Sequence, residues 1–187
     1  MAFTLALSLA GCGAATTTTG GPKVPVRPLS AWAGEQAKLL DDGLDLGAIH
    51  VGEVSAVDVQ DEDFTSMDRR VDVAEGAFKA KIVGINAEDN GAMVHYKLEV
   101  ALQGEPLFGP KLDAPIVLVV EKRDPSYGTV HAAESVIVGQ TIVVFFRRYE
   151  PETPGGEVTL HFHMTVPSAR VLKEIVDEAQ RRDVHGG

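Results

Sequence analysis

The sequence predicts a mainly β domain with flanking helices, on three observations. Two β-rich runs, Ala77–Ile85 and Met93–Leu102, are separated by Glu88-Asp89-Asn90-Gly91. Asn-Gly readily supplies the positive φ values of a tight hairpin turn, so these runs predict a long hairpin. Two continuous apolar runs follow, Pro115–Val120 (PIVLVV) and Thr141–Phe146 (TIVVFF). Such runs fit strands covered on both faces. Ser168–Arg182 then carries Val171, Leu172, Ile175, Val176 and Ala179 on one helical stripe, with Ser168 as N-cap after Pro167. About five strands with one hairpin and a closing helix predict a small antiparallel barrel, and a β-sandwich of similar strand count is the alternative.

The remaining elements are read in chain order. Ala31–Leu40 favours a helix, anchored by Trp32, Leu39 and Leu40 and capped by Ser30. Ala48–Val59 alternates loosely through Ile49, Val51, Val54 and Val57 and reads as a strand. Between Glu53 and Glu75, eight acidic residues face only Arg69 and Arg70, a net of −6 out of the chain's −10. With Phe64 and Met67 as its main apolar residues, this acidic segment reads as a surface loop. Val158–Val166 alternates strictly: Leu160, Phe162 and Met164 share one face, and Thr159, His161, His163 and Thr165 the other.

Ahead of the domain, Met1–Gly11 is uncharged and has an apolar core of about ten residues, half of what a membrane-crossing helix needs. It therefore reads as a signal core. It ends in Leu9-Ala10-Gly11-Cys12, which resembles the lipobox of bacterial lipoproteins. That resemblance implies Cys12 as the lipid attachment point and Leu9, Ala10 and Gly11 as the processing motif. No Lys or Arg precedes Cys12, a departure from the usual start of such signals. Gly13 follows the cysteine where an aspartate would favour inner-membrane retention in enteric members of the family, so the resemblance implies the outer membrane. Gly13–Pro28 (GAATTTTGGPKVPVRP) has no apolar period and reads as a flexible tether with an r.m.s. reach on the order of 20 Å. The expected organisation is a signal peptide over residues 1–11, a lipidated tether over 12–29 and one globular domain over 30–187.

Val138-Gly139-Gln140 leading into the Thr141–Phe146 strand, followed by a C-terminal helix, resembles the late part of netrin/TIMP-like OB barrels. Tyr96–Gly104 (YKLEVALQG) is similar to their second strand. The resemblance implies an OB-like core over residues 77–182. Inhibitory members use a free N-terminal cysteine in a disulfide, whereas Cys12 lies far from the barrel, so protease inhibition does not follow from it.

Composition narrows the function classes. One cysteine excludes an internal disulfide framework and any thiolate cluster for zinc or iron–sulfur. Seventeen basic against 27 acidic residues argue against a nucleic-acid partner, and Arg69-Arg70, Arg147-Arg148 and Arg181-Arg182 are isolated pairs. His161 and His163 have the spacing by which a strand presents two imidazoles to a metal. Their plainer reading is the polar outer face of a half-exposed strand, and sequence cannot bring His95 or His131 beside them as a third ligand. Asp61–Asp72 fails as an EF-hand loop, with Ser66 at position six and Asp72 at position twelve. Ser135 beside His131 lacks any nucleophile motif, and no phosphate-binding or dinucleotide fingerprint occurs. The expected function is a lipid-anchored envelope protein with a non-catalytic binding or scaffolding domain, no cofactor, and a protein partner in the envelope. The alternatives are a metal-binding or metal-dependent hydrolase using His161 and His163, and a sensor or inhibitor of envelope enzymes.

Overall fold

The computed structural model describes residues 29–33, 38–45, 48–49, 64–89, 94–113, 116–151 and 154–185. In chain order the elements are β1 (Gly43–Leu44), α1 (Phe64–Val73), β2 (Gly76–Asp89), β3 (Val94–Leu102), β4 (Ile116–Glu121), α2 (Tyr127–Ala133), β5 (Thr141–Tyr149), β6 (Thr159–Thr165) and α3 (Ala169–His185). The strands form one six-stranded sheet in the order β1-β6-β5-β2-β3-β4. All neighbours run antiparallel except β1, which lies parallel to β6.

The mainly β architecture with flanking helices is the one the sequence predicts. The sheet is neither a closed barrel nor one half of a two-sheet sandwich: β1 and β4 are its two edges. Helix α2 and the turn after it place Val130, Ala133 and Ile137 on one face of the sheet, in a core with Phe78, Leu98, Leu118, Val144, Phe146 and Met164. Helices α1 and α3 pack on the other face, where Met67, Val71, Val171, Ile175 and Ala179 meet Ala77, Val143 and Phe145. The sheet centre is thus the middle of three layers.

Strand β5 is buried on both sides, as its continuous apolar run predicts: Ile142 through Phe146 are fully buried. Strand β4 looks similar in sequence but behaves differently. Ile116, Leu118 and Val120 are buried while Val117 and Val119 stay 43% and 40% exposed. The reason is position: β4 lies at the edge, beyond the reach of α1 and α3.

The predicted hairpin pairing of β2 with β3 is present, from Ala80 opposite Leu102 to Asp89 opposite Val94, with a bulge between Ile82 and Gly84; the Asn90-Gly91 turn lies outside the described residues. Helix α3 begins where the Ser168 cap predicts, since Ser168 Oγ accepts the Val171 N–H at 3.1 Å. The predicted surface loop over Glu53–Glu75 is corrected in its second half. Phe64–Val73 is a helix, because Met67, Val71 and Ala74, spaced i, i+4 and i+7, form a buried stripe beneath the charged residues. Residues 31–33 and 38–40 are turns and bends rather than the predicted helix. Trp32 is committed to a tertiary stack on His161, and Leu40 is fully buried in the core under α1. Ala48 and Ile49 sit in a turn closed by the Ala48 N–H on the Asp45 carbonyl (2.8 Å), not in a strand. The rest of that predicted strand, the acidic residues before Phe64, the tether and Leu9–Cys12 lie outside the described residues.

At the start of β2 the chain makes a close approach. The Ala77 N–H donates to the Phe108 carbonyl (3.1 Å) and the Leu107 N–H to the Ala77 carbonyl (2.8 Å), so residues 107–108 continue the ladder where β3 has ended. Gly109 then turns with φ +81°, and a Cβ there would lie 2.3 Å from the Glu75 carbonyl oxygen. Both the left-handed backbone and the missing side chain are required. Gly109→Ala is expected to lower the unfolding free energy by about 2–4 kcal/mol in urea titrations, and an unchanged midpoint would refute this close approach.

A candidate site of paired imidazoles and carboxylates

Alternation along β6 puts Thr159, His161, His163 and Thr165 on the face covered by α1 and α3. They are not a half-exposed outer row. His161 and His163 are only 7% and 5% exposed, and Thr165 is fully buried. This corrects the plainer expectation from sequence: β6 lies next to β5 and shares its cover on both faces. A buried imidazole needs hydrogen-bond partners, and the edge strand β1 supplies them.

His161 Nδ1 lies 2.9 Å from Asp42 Oδ2, and the Phe162 N–H donates to Asp42 Oδ1 at 3.2 Å. Asp42 adopts φ +57°, the left-handed region that an aspartate enters more readily than most residues. This turn aims its carboxylate at the β6 backbone. The Ser126 hydroxyl, just before α2, donates to the Asp42 carbonyl and anchors the turn from the other side. One turn along, His163 Nε2 lies 3.1 Å from Asp45 Oδ2. Gly43 makes room for this second pair: a Cβ there would lie 3.1 Å from His163 Nδ1.

The two carboxyls are pushed in opposite directions. Burial raises Asp42 above the usual carboxylate range against the opposing pull of His161. Burial acts on Asp45 as well, but His163, Thr165 and the Arg70 charge together hold it below that range. Asp124, in the turn before α2, is raised to about 6 by burial, with the Asp42 and Glu121 charges adding to the effect and a hydrogen bond from the Glu121 N–H opposing it.

Aromatic rings enclose His161. Trp32 stacks on it at 3.8 Å between centroids and 16° between planes. Tyr149 meets it edge-on at 5.4 Å. Tyr149 also lies opposite Thr159 across the β5–β6 ladder. With Asp42 engaged at Nδ1, His161 keeps Nε2 as its second hydrogen-bonding atom. That atom, Trp32 Nε1, Tyr149 Oη and Thr159 Oγ1 are all buried and have no hydrogen-bond partner among the described residues. Four such atoms on neighbouring side chains depart from the ordinary rule that buried polar groups are paired.

The other sequence candidates fall elsewhere. His131 bonds Tyr96 Oη at 2.5 Å beside Glu134, on the opposite face of the sheet. His95 pairs with Glu88 at 3.3 Å on β3, three strands or about 14 Å from β6. Neither joins His161 and His163, and each of those imidazoles holds its own carboxylate through a different ring nitrogen. Among the described residues, no three His, Cys, Asp or Glu side chains are grouped where they could hold an ion. Asp68 and Asp72 lie on α1, so a helix runs through the window tested as a calcium loop. Arg148 clamps Glu75, with Nε 2.9 Å from Oε2. Arg147 donates to the Val73 carbonyl (3.1 Å) and to Ser30 (3.2 Å), and Arg182 to the Val71 carbonyl (2.7 Å). These guanidiniums serve the fold. Asp42, Asp45, Trp32 and Tyr149 were missed as site residues because sequence offers no sign that they meet β6. The strict alternation around the two histidines was the one available signal.

Two outcomes test the site. A carboxyl raised from 3.8 to about 6 contributes stability at acid pH that is lost as the pH climbs through about 6. Asp124→Asn removes that loss, and chemical denaturation at pH 7.5 should find the variant more stable by on the order of 1 kcal/mol, with no gain at pH 4. Trp32 is the only tryptophan, so its emission reports this stack alone. His161→Ala should shift the emission to the red as the ring loses its cover, whereas Asp124→Asn should leave it in place. Neither a protein-family model, nor a curated protein, nor a solved structure matches this chain.

Proposed function

We propose that the chain is a lipid-anchored protein of the bacterial envelope whose β domain works by binding rather than by catalysis. The binding half rests on the His161 cluster, where, among the described residues, four buried polar atoms meet no hydrogen-bonding group. Trp32 Nε1 can only donate, the Tyr149 and Thr159 hydroxyls can do either, and His161 Nε2 offers a lone pair while Nδ1–H is given to Asp42. Such a set suits a small neutral ligand bearing hydroxyl or amide groups, held against an aromatic wall. The anchoring half rests on Leu9-Ala10-Gly11-Cys12 directly behind an apolar signal core and ahead of a Thr-, Gly- and Pro-rich tether. Two or more acyl chains on Cys12 give stable membrane attachment. None of the described helices is long and apolar enough to cross a membrane. The outer membrane is the proposed location, with an envelope protein as the partner that receives or supplies the ligand.

Each half has its own test. Metabolic labelling with palmitate should mark the wild-type protein and be lost in Cys12→Ala, with the protein moving to the soluble fraction. Label that persists in Cys12→Ala overturns the anchor. Native mass spectrometry of protein extracted from the envelope should show a small-molecule adduct that disappears in His161→Phe/Thr159→Val. An unadorned wild-type mass overturns the binding half.

A further inference from the structure

We propose that residues 29–33 form a strap over the His161 cluster, and that the strap lifts as a unit, carrying Trp32 off His161, to admit the ligand. The proposal rests on the binding reading only for what enters; the lifting is a property of the chain itself. The four buried polar atoms lie on Trp32, Tyr149, Thr159 and His161, and three of these residues belong to β5 or β6. Tyr149 and His161 are 2% and 7% exposed. They are fixed by the ladder that pairs Tyr149 with Thr159 and Arg147 with His161. Trp32 is the exception: it is half-buried, and residues 29–33 belong to no helix or strand.

Among the described residues, three contacts hold the strap down. The Glu150 N–H donates to the Ser30 carbonyl at 3.0 Å, Arg147 Nη2 donates to Ser30 Oγ at 3.2 Å, and Trp32 stacks on His161. Leu29, Ala31 and Ala33 are exposed, so alternate residues of the strap meet solvent. Both anchors can be given up without stranding what lies beneath. Arg147 keeps its bond to the Val73 carbonyl (3.1 Å) and its place 5.4 Å over the Tyr149 ring. Glu150 is exposed, so water can take over its N–H. The closed strap also buries Trp32 Nε1 with no acceptor among the described residues, and lifting restores to it the hydrogen bond that water supplies. A segment with so few buried contacts opens well before the whole domain does. His163, two residues along the same face, is covered differently. Gly43 of β1 stands opposite it in the ladder, and Asp45 Oδ2 lies 3.1 Å from its Nε2. Lifting the strap therefore uncovers one imidazole and leaves the other shut.

Diethyl pyrocarbonate, which acylates accessible imidazoles, reads this difference in the full chain carrying Cys12→Ser, with tandem mass spectrometry assigning each histidine. The exposed His131 sets the reference rate. In the wild-type domain His161 should react more slowly than His131 but about tenfold faster than His163. Ser30→Ala removes the Arg147 anchor and leaves Trp32 in place. It should speed His161 about fivefold and raise acrylamide quenching of Trp32 in parallel, with His163 and the melting temperature unchanged. Trp32→Ala should bring His161 to within about twofold of His131. Equal rates for His161 and His163 in the wild-type domain overturn the strap, as does a Ser30→Ala variant in which both speed up together. The adduct seen in envelope-extracted protein should leave the Ser30→Ala variant faster on dilution, and equal retention overturns the strap as the entry route. The two readings fail separately: an unadorned wild-type mass beside the expected rates overturns the binding reading, and a His161 rate indifferent to Ser30→Ala beside an adduct overturns the strap.

Discussion

The structure depends on β5 being buried on both faces. Val143 and Phe145 point one way and Ile142, Val144 and Phe146 the other, all of them fully buried. A strand with no solvent face must be covered by one layer on each side. Helices α1 and α3 form one layer, and α2 with the turn after it forms the other. Because β6 pairs directly with β5, it inherits both covers, and its polar row of Thr159, His161, His163 and Thr165 is drawn inside. Burying imidazoles without partners is costly, so β1 and its flanking Asp42 and Asp45 become structural necessities. The candidate site thus follows from the central strand's demand for two covers.

The covering helices are themselves held by charge-assisted bonds at their ends. The Arg182 guanidinium reaches from α3 to the Val71 carbonyl near the end of α1, and it lies 4.8 Å over the Phe108 ring. Arg147 on β5 takes the Val73 carbonyl. A cation at a helix C-terminus satisfies carbonyls that have no intrahelical partner and complements the helix dipole. Arg148 and Glu75 then fasten the α1–β2 connection to β5, with the Arg148 N–H also donating to Glu75 at 3.3 Å. Arg147, Arg148 and Arg182, which read as parts of isolated basic pairs in the sequence, fasten one element to another. Their partners come from residues more than 70 positions away, beyond the reach of any local pattern.

Periodicity carried strands β2 to β6 and α3 well, since period-2 and period-3.6 patterns report which faces are covered. It misled wherever cover depends on place in the sheet. PIVLVV and TIVVFF are nearly the same string, yet one is an edge with a row of exposed valines and the other is the centre. The α1 stripe of Met67, Val71 and Ala74 was masked by the acidic residues that surround it. Around Trp32, local helix preference gave way to a ring stack with a residue far along the chain. Within the site, the shared face of His161 and His163 was readable. Their depth, their carboxylates and the surrounding rings were not.

By itself the sequence determined strands β2 to β6, the pairing of β2 with β3, the closing helix, the shared face of the two histidines and the absence of any thiolate chemistry in the domain. These follow from local backbone preference, from hydrophobic period and from counting. Only the tertiary structure decided that the sheet stays open, that α1 exists as a cover, that β4 is the exposed edge and that Asp42 and Asp45 meet the imidazoles. Each of those depends on contacts between residues remote in sequence, whose formation is set by which layer reaches which strand.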